Sequence, residues 1–439
     1  MKAVVHEAGS VGERSSCLSG EWLWVVAWGS LLALAVGAPQ GPGRLIVTDF
    51  VPFALPDVGD REIDAVVEAM RSGWLTTGPN AAAFEREFVD DLIGSSGTPE
   101  SNGSVAALAV NSATAGLHLA LEAIGVGPGD EVIVPTWTFT ATAEVVRYLG
   151  ATPVIVDVDP ATLNIDLAAA EAAVTDRTAA IMPVHFAGLP VDRAALAAFA
   201  ERHGVAVVED AAHAHPVHSD GIPVGLGASR AVVFSFYATK TMTTGEGGMV
   251  VSADPALIDR MKTMRLHGIN RDVFDRYTST APSWHYEVVA PGFKDNMTDV
   301  AAAMGRVQLT RSDAMREART AIAARYDEAF ADLPVRLPAR PSTRDTTHAW
   351  HLYVVRLTDG TPVDRNTFIE RMAQEGVGCS VHFIPLHHHT YWRELRGADA
   401  PSLPVADHEF ARAVSLPIFS SMTPVQVDKV IEAVRSVLQ

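Results

Sequence analysis

Apolar residues recur in two periods along the chain, and the switching between them sets the architecture. Residues 60–72, DREIDAVVEAMRS, carry apolar positions at helical spacing and run into Gly73, a residue suited to a helix C-cap. From there short apolar runs alternate with helical stretches. Strands are predicted over 105–110, 131–135, 153–158, 179–184 and 205–208, and helices over 117–125, 167–174 and 191–203. Runs that are apolar throughout suit strands buried on both faces. With helices between them they predict a sheet of many parallel strands with helices on both sides. Residues 232–251, VVFSFYATKTMTTGEGGMVV, read as strand, turn, Gly-rich loop and second strand.

The texture changes near residue 330. The stretch 334–342, PVRLPARPS, is Pro-rich and boundary-like. Beyond it, strands at 348–357 and 378–384 and helices at 365–375 and 424–437 predict a smaller α+β domain. The expected division is 1–49, 50–330 and 331–439. Residues 22–37, WLWVVAWGSLLALAVG, are uncharged and apolar, and 39–44, PQGPGR, form a breaker-rich linker. The run is short for a membrane span, and the acidic residues before it make a poor basic leader region. Three readings stay open: an extension outside the fold from an early start site, an export or anchoring segment, or a packed helix.

A length of 439 residues suits two domains, and 48% hydrophobic with 20% charged residues describes a packed globular chain. The net charge of -18 excludes binding through a nucleic-acid backbone but leaves room for a small phosphorylated ligand. Two cysteines, Cys17 and Cys379, make neither a disulfide framework nor a zinc spacing. That usage fits a reducing compartment, so a cytoplasmic location is expected.

Lys240 follows an apolar strand, where partial desolvation would favour the neutral, nucleophilic amine. Gly245, Gly247 and Gly248 would let backbone approach a bulky ligand, although such a run also serves as a plain turn. At 111–116, NSATAG, a strand opens through small hydroxyl residues into a helix, which is either a phosphate cradle or an ordinary N-cap. Trp137 and Phe139 stand past the strand 131–135, placed to stack on a planar ring or to fill core. Asp210 ends another buried strand and there needs a cation or strong donor, unless it caps the next helix. The loop at 73–79, GWLTTGP, is a lid or a substrate contact. The Gly-x-Gly stretch at 225–230 lacks a third glycine and precedes a strand, so it is no dinucleotide fingerprint. His387, His388 and His389 read as loop, because three consecutive residues without carboxylate partners do not converge on a metal.

Together, a Schiff-base lysine, an acid for a pyridine nitrogen, an aromatic stacker and a phosphate cradle form the set that pyridoxal 5'-phosphate requires. The segments SGWLTTGP, NSATAGLHLALEAIGVGPGDEVIVPT, PVHFAG, VVEDAAHAHP, FSFYATKTMTTGEGGMV, RLHGI, PGFKDNMTD and GCSVHFIPLH occur in an order that resembles the DegT/DnrJ/StrS family of sugar aminotransferases. The resemblance runs from about Phe50 to the C-terminus. It implies the fold type I of aspartate aminotransferase: a mixed, mostly parallel seven-stranded sheet flanked by helices, plus a smaller C-terminal α+β domain. It also implies roles. Lys240 would be the Schiff-base lysine and proton carrier, and Asp210 would hold the pyridine nitrogen protonated. Phe139 would stack on the ring and His213 lie against it. Ala113, Thr114 and Ser235 would hold the phosphate, with Ala113 where many members have Gly. Trp74, Thr76, His185 and His382 would contact substrate. Lys294 stands where many members have the Asn that reaches the partner subunit's phosphate, with Asn296 two residues on, so either could make that contact, a pattern similar to the 4-amino-4-deoxy-arabinose aminotransferases. The implied reaction is ping-pong transfer of an amino group from an amino acid, with L-glutamate favoured, to a nucleotide-diphosphate 4-keto sugar, in a homodimer with shared sites. Two alternatives are a sugar dehydratase of the same fold, which would carry His in place of Lys240, and a non-catalytic sugar-nucleotide-binding regulator.

Overall fold

The computed structural model describes residues 50–96, 105–270 and 286–439. The apolar run at 22–37, the linker at 39–44 and Cys17 lie outside the described residues. Helix α1 (Asp60–Ser72) opens with the Gly59 N–H donating to Glu62 Oε2 at 2.9 Å and closes on Gly73 at φ 83°. Helix α2 (Pro79–Ser95) follows, starting on a proline whose missing N–H costs nothing at that position.

The strands are β1 (Ala106–Val110), β2 (Glu131–Pro135), β3 (Thr152–Val156), β4 (Thr178–Ile181), β5 (Ala206–Asp210), a small hairpin of β6 (His218–Ser219) and β7 (Ile222–Pro223), then β8 (Ala231–Ser235) and β9 (Gly248–Ser252). Seven of them form one sheet in the order β1-β9-β8-β5-β4-β2-β3. Strands β2, β3, β4, β5 and β8 pair in parallel, while β9 runs antiparallel to both β8 and β1. The expected mixed, mostly parallel sheet is therefore present. The reversed β9 returns beside β8 through the 236–247 loop, which holds no crossover helix.

Alternation along each strand feeds two cores. In β2, Val132 and Val134 pack on one face and Ile133 on the other; in β8, Val233 packs opposite Val232 and Phe234. Helices α3 (Ala113–Ala123), α4 (Ala141–Tyr148), α5 (Leu167–Ala172), α6 (Arg193–His203) and α7 (Pro255–Met264) alternate with the strands. Phe84, Phe88, Phe234 and Phe236 meet in one aromatic cluster between α2 and the sheet, with ring centroids 5.2–6.2 Å apart. Burying each such ring is worth about 1.5–3 kcal/mol relative to leaving it in water.

Helices α8 (Asp299–Leu309) and α9 (Ser312–Phe330) lead to a second, antiparallel sheet of β10 (Val335–Arg336), β11 (Tyr353–Leu357) and, later, β12 (Ala413–Leu416). Helix α10 (Arg365–Gln374), α11 (Thr390–Arg396), α12 (Pro404–Phe410) and α13 (Pro424–Leu438) complete this part. Tyr326 and Phe330 of α9, Phe368 of α10 and Val430 and Val434 of α13 share its core with Tyr353.

Two expected strands come out differently. Residues 348–352 do not extend β11, because Trp350 sits at φ 51° with its ring stacked on His348 at 3.8 Å. Residues 378–384 form no strand. Their hydrogen bonds go first to Val51 and then to Ser415, so neither partner is followed long enough to make a ladder. Among the described residues, no helix is long and apolar enough to cross a membrane.

Candidate active site

The candidate residues gather where the co-directional strands end. Strand β8 ends at Ser235, and the chain turns so that the Lys240 N–H donates to Tyr237 O at 3.0 Å. The return loop is pinned by Phe236 N–H to Gly247 O and Thr244 N–H to Phe236 O, each 2.9 Å. At Gly248 a β-carbon would lie 2.8 Å from both Ala113 N and Phe234 O. The backbones of β8, β9 and the start of α3 meet at that point, and only glycine fits. Across this contact the first turn of α3 offers the N–H groups of Ala113 and Thr114, for which the helix itself has no acceptor. Ser112 caps the helix, its Oγ accepting from Ala115 N–H at 3.1 Å.

Asp210 closes β5 and is buried. Its Oδ2 accepts from Thr142 Oγ1 at 2.9 Å and its Oδ1 from Ala212 N–H at 3.1 Å. Burial raises its pKa above the ordinary aspartate value, against those two hydrogen bonds and the charge of Lys240. Lys240 itself is only partly buried as a residue, yet desolvation of its amine brings the pKa down to about 8, opposed by Asp210. A buried acid that lacks a bonded cation thus stands near an amine that is easily deprotonated.

The structure separates the two aromatic candidates. Trp137 is 0% exposed with its Nε1–H donating to His382 O at 3.0 Å, whereas Phe139 is 58% exposed and free to stack. Phe139 lies 6.0 Å, ring to ring, from Phe383, which stacks on His213 at 5.8 Å. His213 Nδ1 accepts from Ala187 N–H at 3.2 Å, which leaves the ring proton on Nε2. Burial, followed by the charge of Lys240, holds His213 well below the ordinary histidine value. His382 is drawn into the same field: burial and then Lys240 bring it to about 4, while its Nδ1 pairs with Ser415 Oγ at 3.1 Å. His213, Ser235 and Lys240 line one small cavity with His215 and His351.

Trp74, Thr76, Lys294 and Asn296 form a second group. Residues 294–296 run along the end of β1, with Asn111 N–H donating to Asp295 O at 2.8 Å. Asn296 Nδ2 donates to Thr77 Oγ1 at 2.7 Å and lies 3.5 Å from Thr76 Oγ1. Lys294 is exposed, its Nζ donating to Asn296 Oδ1. The Trp74 ring packs over Gly78, where a β-carbon would come within 3.0 Å of it. His185 joins neither group as a free side chain. Its Nδ1 accepts from Val191 N–H at 3.0 Å, and its Nε2 lies 2.8 Å from Glu209 Oε2.

Several neighbours had no clear signal in the sequence. Thr142, one helical turn past Thr138, donates to Asp210, and nothing in the sequence names the acceptor of a lone hydroxyl. His351, whose ring is 4.3 Å from that of His213, and Phe383 come from distant parts of the chain. The reading of His387 and His388 as a plain loop is corrected: both turn toward one carboxylate, Asp407.

Residues 56–435 match the model of the DegT/DnrJ/EryC1/StrS aminotransferase family. The chain belongs to that family. The spore coat polysaccharide biosynthesis protein SpsC of Bacillus subtilis is 44% identical over 393 residues, covering 89% of this chain and 97% of SpsC. Spr1654 of Streptococcus pneumoniae, solved in PLP, PMP and apo forms, superposes in its PLP form with a TM-score of 0.79 at 34% identity, covering 89% of this chain and 100% of that one. PseC of Helicobacter pylori, an aminotransferase involved in the biosynthesis of pseudoaminic acid, gives a TM-score of 0.78 at 27% identity over 89% and 99% of the two chains. The DegT/DnrJ/EryC1/StrS aminotransferase described here is accordingly a sugar aminotransferase that depends on pyridoxal 5'-phosphate.

The residues present fit that cofactor. A buried Asp210 without a bonded cation suits a protonated pyridine nitrogen, and the exposed Phe139 face suits a planar ring. The α3 N-terminus suits a phosphate, and the partly desolvated Lys240 amine suits a carbonyl carbon.

Proposed function

We propose that the enzyme moves an amino group from an amino acid, L-glutamate first among donors, to the ketone of a nucleotide-diphosphate 4-keto sugar, in two successive half-reactions. The name of SpsC supports a place in polysaccharide biosynthesis. The observation that carries the reading is the pairing of a cation-poor Asp210 with a Lys240 amine brought down to about 8. Bound pyridoxal phosphate supplies the electron sink that lets an amino acid exchange its amino group for a ketone. Lys240 would hold the cofactor through its Nζ and would carry a proton to and from the reacting carbon of the substrate. Asp210 keeps a positive charge on the ring nitrogen, and Thr142 and the Ala212 N–H hold the carboxylate in place. Phe139 orients the ring; Ala113, Thr114 and Ser235 hold the phosphate. Trp74, Thr76 and His382 are the candidate sugar contacts.

We further propose a cytoplasmic homodimer with shared sites, in which Lys294 or Asn296 reaches the partner's phosphate. Support comes from the exposure of Lys294 and from the position of the segment beside Asn111, next to the phosphate-binding turn. The deciding experiment is the visible spectrum of the purified protein before and after L-glutamate. Loss of the yellow band on adding glutamate supports cofactor, lysine and donor together. A band that persists discards glutamate, and a protein that takes up no pyridoxal phosphate sinks the reading.

A further inference from the structure

The turn at Leu386–His388 and the helix α12 bring three potential metal ligands together away from Lys240. His387 Nε2 lies 2.9 Å, and His388 Nε2 2.5 Å, from the same oxygen, Asp407 Oδ1. The three ligand atoms lie within 4.8 Å of one another. Adjacent residues in a strand or helix would point their rings apart. Here the tight 3-10 turn sets the two imidazoles nearly perpendicular, with centroids 4.5 Å apart and both Nε2 atoms on one side.

The cluster is oriented from behind. His387 Nδ1 sits 2.7 Å from the buried Thr136 Oγ1, and the Leu386 N–H donates to Thr136 O at 2.8 Å. A ligating histidine usually has its second nitrogen held by a hydrogen-bond partner, and Thr136 Oγ1 takes that place here. Asp407 is carried on α12, whose first turn is held by Asp157 accepting from Val405 N–H and Ala406 N–H at 2.9 Å each. Two elements separated by one short helix therefore present a fixed N2O set to solvent. Arg396 also lies in the field of His387 and Asp407, and its charge opposes a cation there.

We propose that His387, His388 and Asp407 form a binding site for one divalent cation of the zinc class, completed by solvent. Two imidazoles and one carboxylate select zinc, nickel or copper over calcium or magnesium, which take oxygen. Only three protein ligands and the nearby Arg396 make it a site of modest affinity that fills and empties, in place of a permanently closed structural centre. The ion ties α12 to the turn that is bonded to Thr136, one residue before Trp137. It thus fastens the exit of β2, from which Phe139 projects. Its role is structural.

The test uses the full-length, pyridoxal-phosphate-loaded enzyme freed of metal by chelator and titrated with Zn²⁺ by calorimetry and with Co²⁺ by its d–d absorption. The chain has 16 histidines, so the variants decide. The wild type is expected to bind one ion per chain and to melt at a higher temperature with Zn²⁺. H388A and D407N should each weaken binding at least about tenfold and remove the thermal shift. H389A, outside the cluster, should bind as the wild type does. Circular dichroism and the cofactor spectrum check that each variant is folded. Should H388A and D407N bind Zn²⁺ as tightly as the wild type, or should the wild type bind none at millimolar Zn²⁺, the site does not exist. In T136V, where the fold is kept but His387 loses its hydroxyl partner, about tenfold weaker binding supports the orientation described, and unchanged binding overturns it.

Discussion

Glu209 and Asp210 are neighbours on β5, yet the strand's alternation sends them to opposite faces with opposite fates. Glu209 meets the ring of His185 at 2.8 Å. Although burial raises its pKa, the hydrogen bond from His185, with help from Ser229 and Arg193, outweighs that and leaves it below the ordinary glutamate value. Asp210 has two neutral donors and a more distant amine, and burial wins. Two carboxylates of the same kind thus differ in what the fold supplies to each. The satisfied one belongs to the structure; the other is the acid proposed above to face the pyridine nitrogen.

The largest effect expected on the Asp210 side is that of Lys240→Ala. Turnover should fall by roughly 10³–10⁴-fold, with the far-UV circular dichroism unchanged. Steady-state assay with any accepted sugar would show this, and an active variant would remove Lys240 from the chemistry. Next comes Asp210→Asn, expected to lower kcat by about 10²–10³-fold, the scale of losing one preorganised charge. The same change should stabilise the cofactor-free protein at pH 7. The sign follows from linkage: a raised folded pKa means the native state binds the proton more tightly than the unfolded chain, so ionisation costs stability as pH rises above the unfolded value near ~3.9. The advantage of the Asn variant over the wild type should close as pH falls below that value.

Glu209→Gln should behave in the reverse sense. It should leave kcat nearly unchanged and cost about 1–3 kcal/mol by loosening the partner of the buried His185. A depressed folded pKa gives stability that is present above the unfolded value near ~4.3 and lost as pH falls through the folded one. Thermal melts at pH 7 and pH 4 would show the deficit shrinking on acidification; a constant deficit would mean that charge plays no part. The smallest effect is that of Thr142→Val, which removes one hydrogen bond to Asp210. A loss of about 1 kcal/mol corresponds to roughly fivefold in kcat, and Thr142→Ser should restore it.

What could be read from the sequence is what a strand announces locally. Lys240, Asp210 and Ala113 each follow an apolar run whose end marks the ligand-binding edge of the sheet, and the parallel layout follows from the spacing of those runs. The division of labour between Trp137 and Phe139 was not legible, because strand alternation ends with β2 and, in the turn beyond it, either aromatic could have been the buried one. Thr142 was silent because a hydroxyl carries no sign of its acceptor. His351 and Phe383 reach the site only through packing between the two sheets, and Asp407 reaches His387 only because α12 folds back. The strand expected at 378–384 failed for a related reason. Its apolar residues suit a strand, but its backbone partners are chosen by tertiary contacts.

Strand β1 forms the outer edge of the large sheet, and its one strand neighbour among the described residues is β9, with Val110 opposite Gly248. On the ribosome, then, β1 is made well over a hundred residues before the strand that pairs with it. At ~5–20 residues per second the nascent chain keeps that apolar edge open for roughly 7–28 s. The turn that follows it, at 111–116, packs directly on Gly248 and is completed only when that residue arrives. With the phosphate held there as proposed, cofactor capture is a late event in synthesis, and the exposed edge is the stage at which a trigger factor or holdase would matter most to yield.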